Sequence, residues 1–396
     1  MNLTHIIDYL IQFITKKHAT EYLFVCMTFN YYLCYMYDST IKQPSLFENL
    51  DFMDIKFPTP QYLGAKYIHG NWITQHIPDC AKVILDAFSG SQSIGFLCKK
   101  LGKTVISNDF LTFNSEIGKA LIENKSEVLT THDIDILFSK NSNPSEYNLM
   151  ETLFTNIFYI REETSFLDAF RSNIDFLDNV YKKALAFSII NRAMTRKVTM
   201  GHFAHTQALA YASNPDRVKR NRSLIRPIKD IFLELVNDYN NAVFDNGTNC
   251  VSYNSNILDL LPSLHNIDLA YFDPPYCNSH ADYQGFYHLL ETFTNYWKDK
   301  DFINGTKRYS PKKESGFETK KEIINSFKTL FSLSENIPYW LISYNDRSFP
   351  SIDTIVEMIN PYRKVTVEKK MYQNGRGGKG SVAGSSEILI ICKPYI

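Results

Sequence analysis

The chain carries no net charge, no closely spaced cysteines, no glycine-rich dinucleotide loop and no long apolar run, and each absence removes a class of function. Its 42 basic and 42 acidic residues cancel, which excludes a uniformly basic binder while leaving room for a local cationic face. The seven cysteines (Cys26, Cys34, Cys80, Cys98, Cys250, Cys277, Cys392) show no C-x-x-C spacing. That argues against a zinc site and a disulfide framework, and for a reducing, cytoplasmic interior. The uncharged run Tyr22 to Tyr37 is interrupted by Thr28 and Asn30 and falls short of the ~20 apolar residues that span a bilayer. Acidic Asp8 precedes it and no small-residue cleavage pattern follows, so neither membrane insertion nor secretion is expected. It reads as a buried or partner-facing helix in an N-terminal extension, residues 1 to 58, of which 1 to 52 are expected to be dispensable. No internal repeat is present.

What the chain does contain is organised around Ile267-Asp268-Leu269-Ala270-Tyr271-Phe272-Asp273-Pro274-Pro275-Tyr276. Two consecutive prolines have no N–H to donate and hold the preceding residues extended, so an apolar strand must stop at Asp273. The stop fixes a carboxylate, free carbonyls and a ring at the carboxyl end of a strand, where open α/β sheets bind ligands. Cys277 beside it has no base spaced with it and is expected to be a packed, neutral thiol.

A second constellation lies upstream. Val83 to Phe88 is an apolar β run; Ser89-Gly90-Ser91-Gln92 opens a helix through Lys100; a second strand, Thr104 to Ser107, ends in Asn108-Asp109. Strand, glycine turn, helix, strand and acid form the spacing of a nucleoside-binding βαβ unit in which the acid accepts ribose hydroxyls. Lacking G-x-G-x-x-G, it suits a ligand with a ribose and no pyrophosphate. The same turn occurs in many α/β proteins, and Asp109 could instead cap the next helix. Earlier still, Tyr62 and Lys66 flank Gly64 and offer a ring and a cation for a carboxylate.

Between these motifs strand character is sparse, and helical periodicity appears over Phe176 to Met194 and Arg226 to Val243. The intervening stretch is cationic: Arg192, Arg196, Lys197, Arg217, Lys219, Arg220 and Arg222, with Asp216 almost alone against them. Solvated helix faces usually mix signs, so contact with a polyanion is the better account. Asn191, His202, His205 and Gln207 suit base-edge hydrogen bonding, and the two histidines lack companions for a metal set. A flexible basic loop with Arg376 and Lys379 joins two final β runs, Lys364 to Tyr372 and Glu387 to Lys393. Asp353 with Glu368-Lys369-Lys370 faintly suggests a metal nuclease, a combination that arises readily by chance. No metal is expected.

Taken together, Tyr62-Leu63-Gly64-Ala65-Lys66, Asp86-Ala87-Phe88-Ser89-Gly90, Asp273-Pro274-Pro275-Tyr276, Tyr287-His288-Leu289-Leu290-Glu291-Thr292, Ser343-Tyr344-Asn345 and Glu387 to Ile391 resemble the adenine-specific (N6) DNA methyltransferases with the alpha order of motifs. The resemblance covers roughly Pro60 to Pro394. It implies a Rossmann-like α/β methyltransferase sheet with a C-terminal antiparallel β-hairpin, built from 59–129 and 248–396, and a mainly helical target-recognition insert over 130–247. S-adenosylmethionine is implied as cofactor, over Phe88 and Gly90, with Asp109 at the ribose, Tyr62 and Lys66 at the carboxylate, and Asp86 and Asn256 completing the site. Asp273, Pro274, Pro275 and Tyr276 would hold a flipped adenine, supported by Tyr344 and Asn345. Two departures stand out: Gln92 replaces a glycine, which should narrow the cofactor loop, and Asn254 or Asn256 stands where an acid often meets the cofactor's adenine. The implied partner is double-stranded DNA, with a restriction endonuclease acting separately and the enzyme itself a monomer. RNA adenine methylation and inert sequence-specific DNA binding are the alternatives; the presence of the motif acid speaks against the second.

Overall fold

The computed structural model describes residues 52 to 395 apart from 53, 199–200, 205, 207, 278–281, 304, 306, 311 and 372–385. The Tyr22 to Tyr37 run, His205, Gln207, Arg376 and Lys379 therefore lie outside the described residues. Among those described, no helix is long and apolar enough to cross a membrane, and no group of three His, Cys, Asp or Glu side chains could hold a metal.

Seven strands form one sheet: β1 (Val83–Asp86), β2 (Thr104–Asp109), β3 (Val251–Asn254), β4 (Leu269–Phe272), β7 (Tyr339–Asn345), β8 (Lys364–Met371) and β9 (Ser386–Lys393). A separate two-stranded ribbon pairs β5 (Asp301–Phe302) with β6 (Tyr309–Ser310). The order across the sheet is β3-β2-β1-β4-β7-β9-β8. The first five run parallel, while β9 lies antiparallel between β7 and β8. After β1 the chain steps outward through β2 and β3, then returns to the other side of β1 with β4. That reversal opens a crevice at the carboxyl ends of β1 and β4.

β4 is buried along its whole length, as expected of a parallel strand covered on both faces. Its entry is pinned by Asp268, whose Oδ2 accepts the N–H groups of Lys82 and Val83 at 2.7 and 2.8 Å. Its exit falls at Asp273, where the prolines end the ladder. Alternate residues feed two cores: Ile84, Val105, Leu269, Tyr271 and Leu389 on one face, Leu85, Ala270, Phe272, Trp340 and Ile390 on the other.

The first face receives helices α1 (Ser93–Lys100), α2 (Thr112–Gly118), α3 (Arg161–Ile174), α4 (Val180–Arg196), α5 (Ile228–Asn240) and α6 (His288–Asn295). The second receives α7 (Ile323–Leu333) and α8 (Ile352–Ile359). α4 and α5 are the two segments read from helical periodicity, trimmed where Asn179 caps α4 and Pro227 precedes α5. The helical region within 130–247 shares a continuous core with the sheet rather than forming a separate one: Phe170, Leu185, Ile189 and Phe232 belong to the same cluster as Ile84 and Val105.

Candidate active site

A cavity of about 470 Å³ occupies the crevice, within the usual size of small-ligand sites. It brings together Tyr62, Lys66, Asp86, Phe88, Gly90, Asp109, Asn256 and Asp273-Pro274-Pro275-Tyr276, the whole set of cofactor and catalytic residues expected from the sequence.

The cavity's end under β1 and β2 is built on backbone turns. Gly90 has φ +48°, a conformation that favours glycine, and a Cβ there would meet Tyr62 Cε1 at 3.0 Å. Its N–H donates to Asp109 Oδ2 at 2.7 Å, while Asp109 Oδ1 accepts from Leu111 N–H and Asn114 Nδ2. Burial pushes the Asp109 carboxyl up to about 6, against those hydrogen bonds. Asp86 accepts the Gly95 N–H through Oδ2 at 2.9 Å, while its Oδ1 is buried without a partner among the described residues. Burial, with the charges of Asp273 and Asp109, pushes Asp86 up to about 8. Tyr62 closes the roof, stacked on Tyr287 (centroids 4.8 Å, planes 13°) and Tyr283.

Gln92 does not narrow the loop. It takes φ +67°, and its fully buried side chain points into the fold, with Nε2 donating to Ser89 Oγ and Asn114 O and Oε1 accepting Ser107 Oγ. Of the two asparagines, Asn256 lines the cavity while its Oδ1 caps the turn at Leu258. Asn254 binds the Asp109 carbonyl instead.

At the other end, Asp273 sits in a network of charges. Lys66 Nζ lies 2.8 Å from Asp273 Oδ2, 3.6 Å from Glu387 Oε1 and 5.0 Å from the Tyr276 ring centroid. The Tyr276 hydroxyl lies 3.0 Å from Asp273 Oδ1 and 3.1 Å from Glu387 Oε1. Burial drives Asp273 above the ordinary carboxylate range, with Lys66 and Tyr276 opposing. Burial alone would lower Lys66, but the Asp273 and Glu387 charges win and hold it well above the ordinary lysine range. Lys66, expected at a cofactor carboxylate, is thus engaged by the acid of the Asp-Pro-Pro-Tyr corner. Tyr344 and Asn345 stand behind that corner. Tyr344 is fully buried, its hydroxyl on the Phe349 carbonyl and its ring edge-on to Tyr276, and Asn345 Oδ1 accepts the Arg347 N–H. Cys277 is a buried thiol that burial pushes up.

Sequence reasoning missed the rim formed by Asp282, Gln284, Lys312, Lys313 and Glu318, and it missed Glu387. The signal for Glu387 was present: an acid heading an otherwise apolar strand. Glu291 of the Tyr287 to Thr292 run is a buried cap for α2, accepting the N–H groups of Thr112 and Phe113.

The cationic cluster divides in two. Arg192 binds the Thr59 carbonyl and Gln61 Oε1; Arg196 pairs with Glu234; Lys197 is buried, paired with Glu163 and donating to the Arg226 carbonyl. These three are engaged within the fold, so their place in a phosphate-binding set is not what their contacts suggest. Lys219, Arg220 and Arg222 are exposed beside Arg217, which lies over the Tyr211 ring.

The strand order and the crevice beside an acid-tipped β2 define a Rossmann-like methyltransferase sheet. Residues 62–358 match the family model of the D12 class N6 adenine-specific DNA methyltransferases, and the chain belongs to that family. It is also 33% identical over 347 residues, 85% of its length and 98% of the relative's, to a Haemophilus parahaemolyticus protein named type II methyltransferase M2.HphI.

Proposed function

We propose that the cavity binds S-adenosylmethionine and an extruded adenine side by side, and that the chain is the modification enzyme of a type II restriction system acting on double-stranded DNA as a monomer, with the endonuclease a separate protein. The observation that carries the site assignment is the single cavity joining the Gly90–Asp109 turn to the Asp273 corner.

The residues present fit that cofactor. Asp86 Oδ1 is buried and has no hydrogen-bond partner among the described residues, and the space over Gly90 is one a side chain would fill. A carboxylate offers about four acceptor positions, of which Asp109 uses three within the fold, leaving room for a ribose hydroxyl. Tyr62, Phe88 and Asn256 line the same space. Bound there, S-adenosylmethionine supplies an electrophilic methyl group on a sulfonium.

Adenine's amino nitrogen is a poor nucleophile because its lone pair is delocalised into the ring. Asp273 and the Pro274 carbonyl accept its two hydrogens, which lets the nitrogen turn tetrahedral and aim its lone pair. Positioning and charge stabilisation then supply most of the catalysis. The Tyr276 ring offers a stacking face for a base flipped out at a cost of about a few kcal/mol. In this reading 59–129 and 248–396 form the catalytic part, 130–247 carries target recognition, and 1–58 is an extension. Purified protein should transfer labelled methyl to duplex DNA and yield N6-methyladenine; labelling of RNA but not duplex DNA overturns the substrate assignment.

Two further outcomes follow. Gly90→Val, which places a branched side chain against Tyr62 in a left-handed conformation, weakens S-adenosylmethionine binding in calorimetry by roughly tenfold or more; unchanged affinity would move the cofactor elsewhere. Arg220→Ala and Arg222→Ala each lower DNA affinity at all sequences and reduce the salt slope by about one. Arg196→Ala, tied to Glu234, leaves that slope as it is. A salt slope unaffected by the two exposed arginines would remove them from the interface.

A further inference from the structure

Asp273 has a role in methyl transfer, but Lys66 is an awkward neighbour for it. As the adenine amine gains a methyl group its nitrogen acquires positive charge. An ammonium 2.8 Å from the accepting carboxylate opposes that charge and draws the carboxylate away from the amine. On another side of the same ammonium stands Glu387, at 3.6 Å, in β9 and 1% exposed. Its Oε1 and Asp273 Oδ1 both lie within hydrogen-bond distance of the Tyr276 hydroxyl, which has one proton to donate. Two carboxylates and one ammonium leave the corner with one negative charge. Without Glu387 the ion pair would be neutral.

We propose that Glu387 is a positioning residue for methyl transfer: its charge offsets Lys66 and it holds the Tyr276 hydroxyl, so that Asp273 presents an uncompensated carboxylate to the adenine amine. The inference rests on the reading of the Asp273 corner as the methyl-transfer site. In that transfer the amine lone pair forms the bond to the methyl carbon as the bond from that carbon to sulfur breaks, its electron pair remaining on sulfur. One amine proton then leaves by way of Asp273 to water. Every species in the balance belongs to the methyl-transfer reaction already assigned.

Several groups set the charge of Glu387. Burial raises its carboxyl, Lys66 and the Tyr276 hydroxyl lower it, and Asp273 raises it, with a net value of about 7. Tyr271 of β4 senses it as well, Lys370 stands opposite it in the β8–β9 register and Asn345 opposite it in β7. Below about 7 the group is neutral and Lys66 leans on Asp273 alone, so the rate falls as pH falls through that value. Because two carboxylates share one ammonium, the observed inflection belongs to the pair.

The test is single-turnover and steady-state methyl transfer to duplex DNA by wild type, Glu387→Gln, Glu387→Asp and Glu387→Ala, with melting temperatures alongside. Absence of transfer by wild type would sink the functional reading itself. With wild type active, Glu387→Gln is expected to lose roughly tenfold or more in kcat, to keep its KM values and melting temperature, and to lose the inflection near 7. Glu387→Asp, which keeps the charge, recovers more activity than Glu387→Gln. Wild-type kcat and pH profile in Glu387→Gln overturn the proposal. So does equal loss in Gln, Asp and Ala variants together with lowered melting temperatures, which would make the residue merely structural.

Discussion

Asp273→Ala is expected to slow methyl transfer by at least roughly 10²–10³-fold while duplex DNA binding is unchanged. In the proposed site the carboxylate is the one anionic acceptor for a base amine, and no neighbouring group replaces it: Glu387 is buried behind Lys66, and the Pro274 carbonyl can take only one of the two hydrogens. Fold loss is not expected, because removal of Asp273 leaves Lys66 still paired with Glu387 at 3.6 Å. Asp273→Asn is the finer probe. It keeps a carbonyl acceptor and the shape of the corner but drops the charge, so it should fall between wild type and alanine. The measurement is a single-turnover methylation assay with binding followed by fluorescence anisotropy. An asparagine variant faster than one-tenth of wild type would mean that charge at this position contributes little.

The second large effect is on stability. Lys66→Ala removes the only cation within 4.0 Å of Asp273 or Glu387 among the described residues, leaving two carboxylates around one tyrosine hydroxyl. Stranding a buried charge in this way typically costs about 3–5 kcal/mol. The carboxyls respond by holding protons more tightly, and the sign of the pH dependence follows. A carboxyl whose folded pKa is raised above its unfolded value binds more protons when folded, so stability is lost as pH rises through that window. Wild-type Glu387 already sits near 7, and without Lys66 it moves higher. Urea unfolding should therefore show a smaller deficit for Lys66→Ala at about pH 6 than at about pH 8.5. A deficit independent of pH would show that packing, not charge, accounts for the loss.

The parts of the fold that could be read from the sequence are those in which local physics and tertiary demand agree. β1, β2 and β4 are short apolar runs because parallel strands are buried on both faces, and each ends in a signal its neighbours cannot imitate: a glycine turn, an acid, a double proline. The Asp273 to Tyr276 corner that lines the cavity was legible for the same reason. The pairing of Lys66 was not, since its partners Asp273 and Glu387 lie more than two hundred residues away and meet it only through the strand order. Gln92 misled because a glycine position was assumed to face the ligand, whereas its left-handed turn directs the side chain inward. The cationic stretch misled through local counting. Lys197 and Arg196 are answered by Glu163 and Glu234, acids too distant in sequence to register as neighbours, so charge density along the chain overstated charge on the surface. The exposed residues of the 215–222 segment carry that reading without them.

β9 is the last strand in chain order but lies inside the sheet, hydrogen-bonded to β7 on one side and β8 on the other. A chain translated as far as Met371 would hold Tyr62, the Gly90 turn, Asp109 and the whole Asp273 corner, yet would lack an interior ladder and the Glu387 carboxylate beneath Tyr276. The strand that completes the ladder between β7 and β8 thus also carries the acid that faces Lys66 and Tyr276, so closure of the sheet and the charge of that corner depend on the same eight residues.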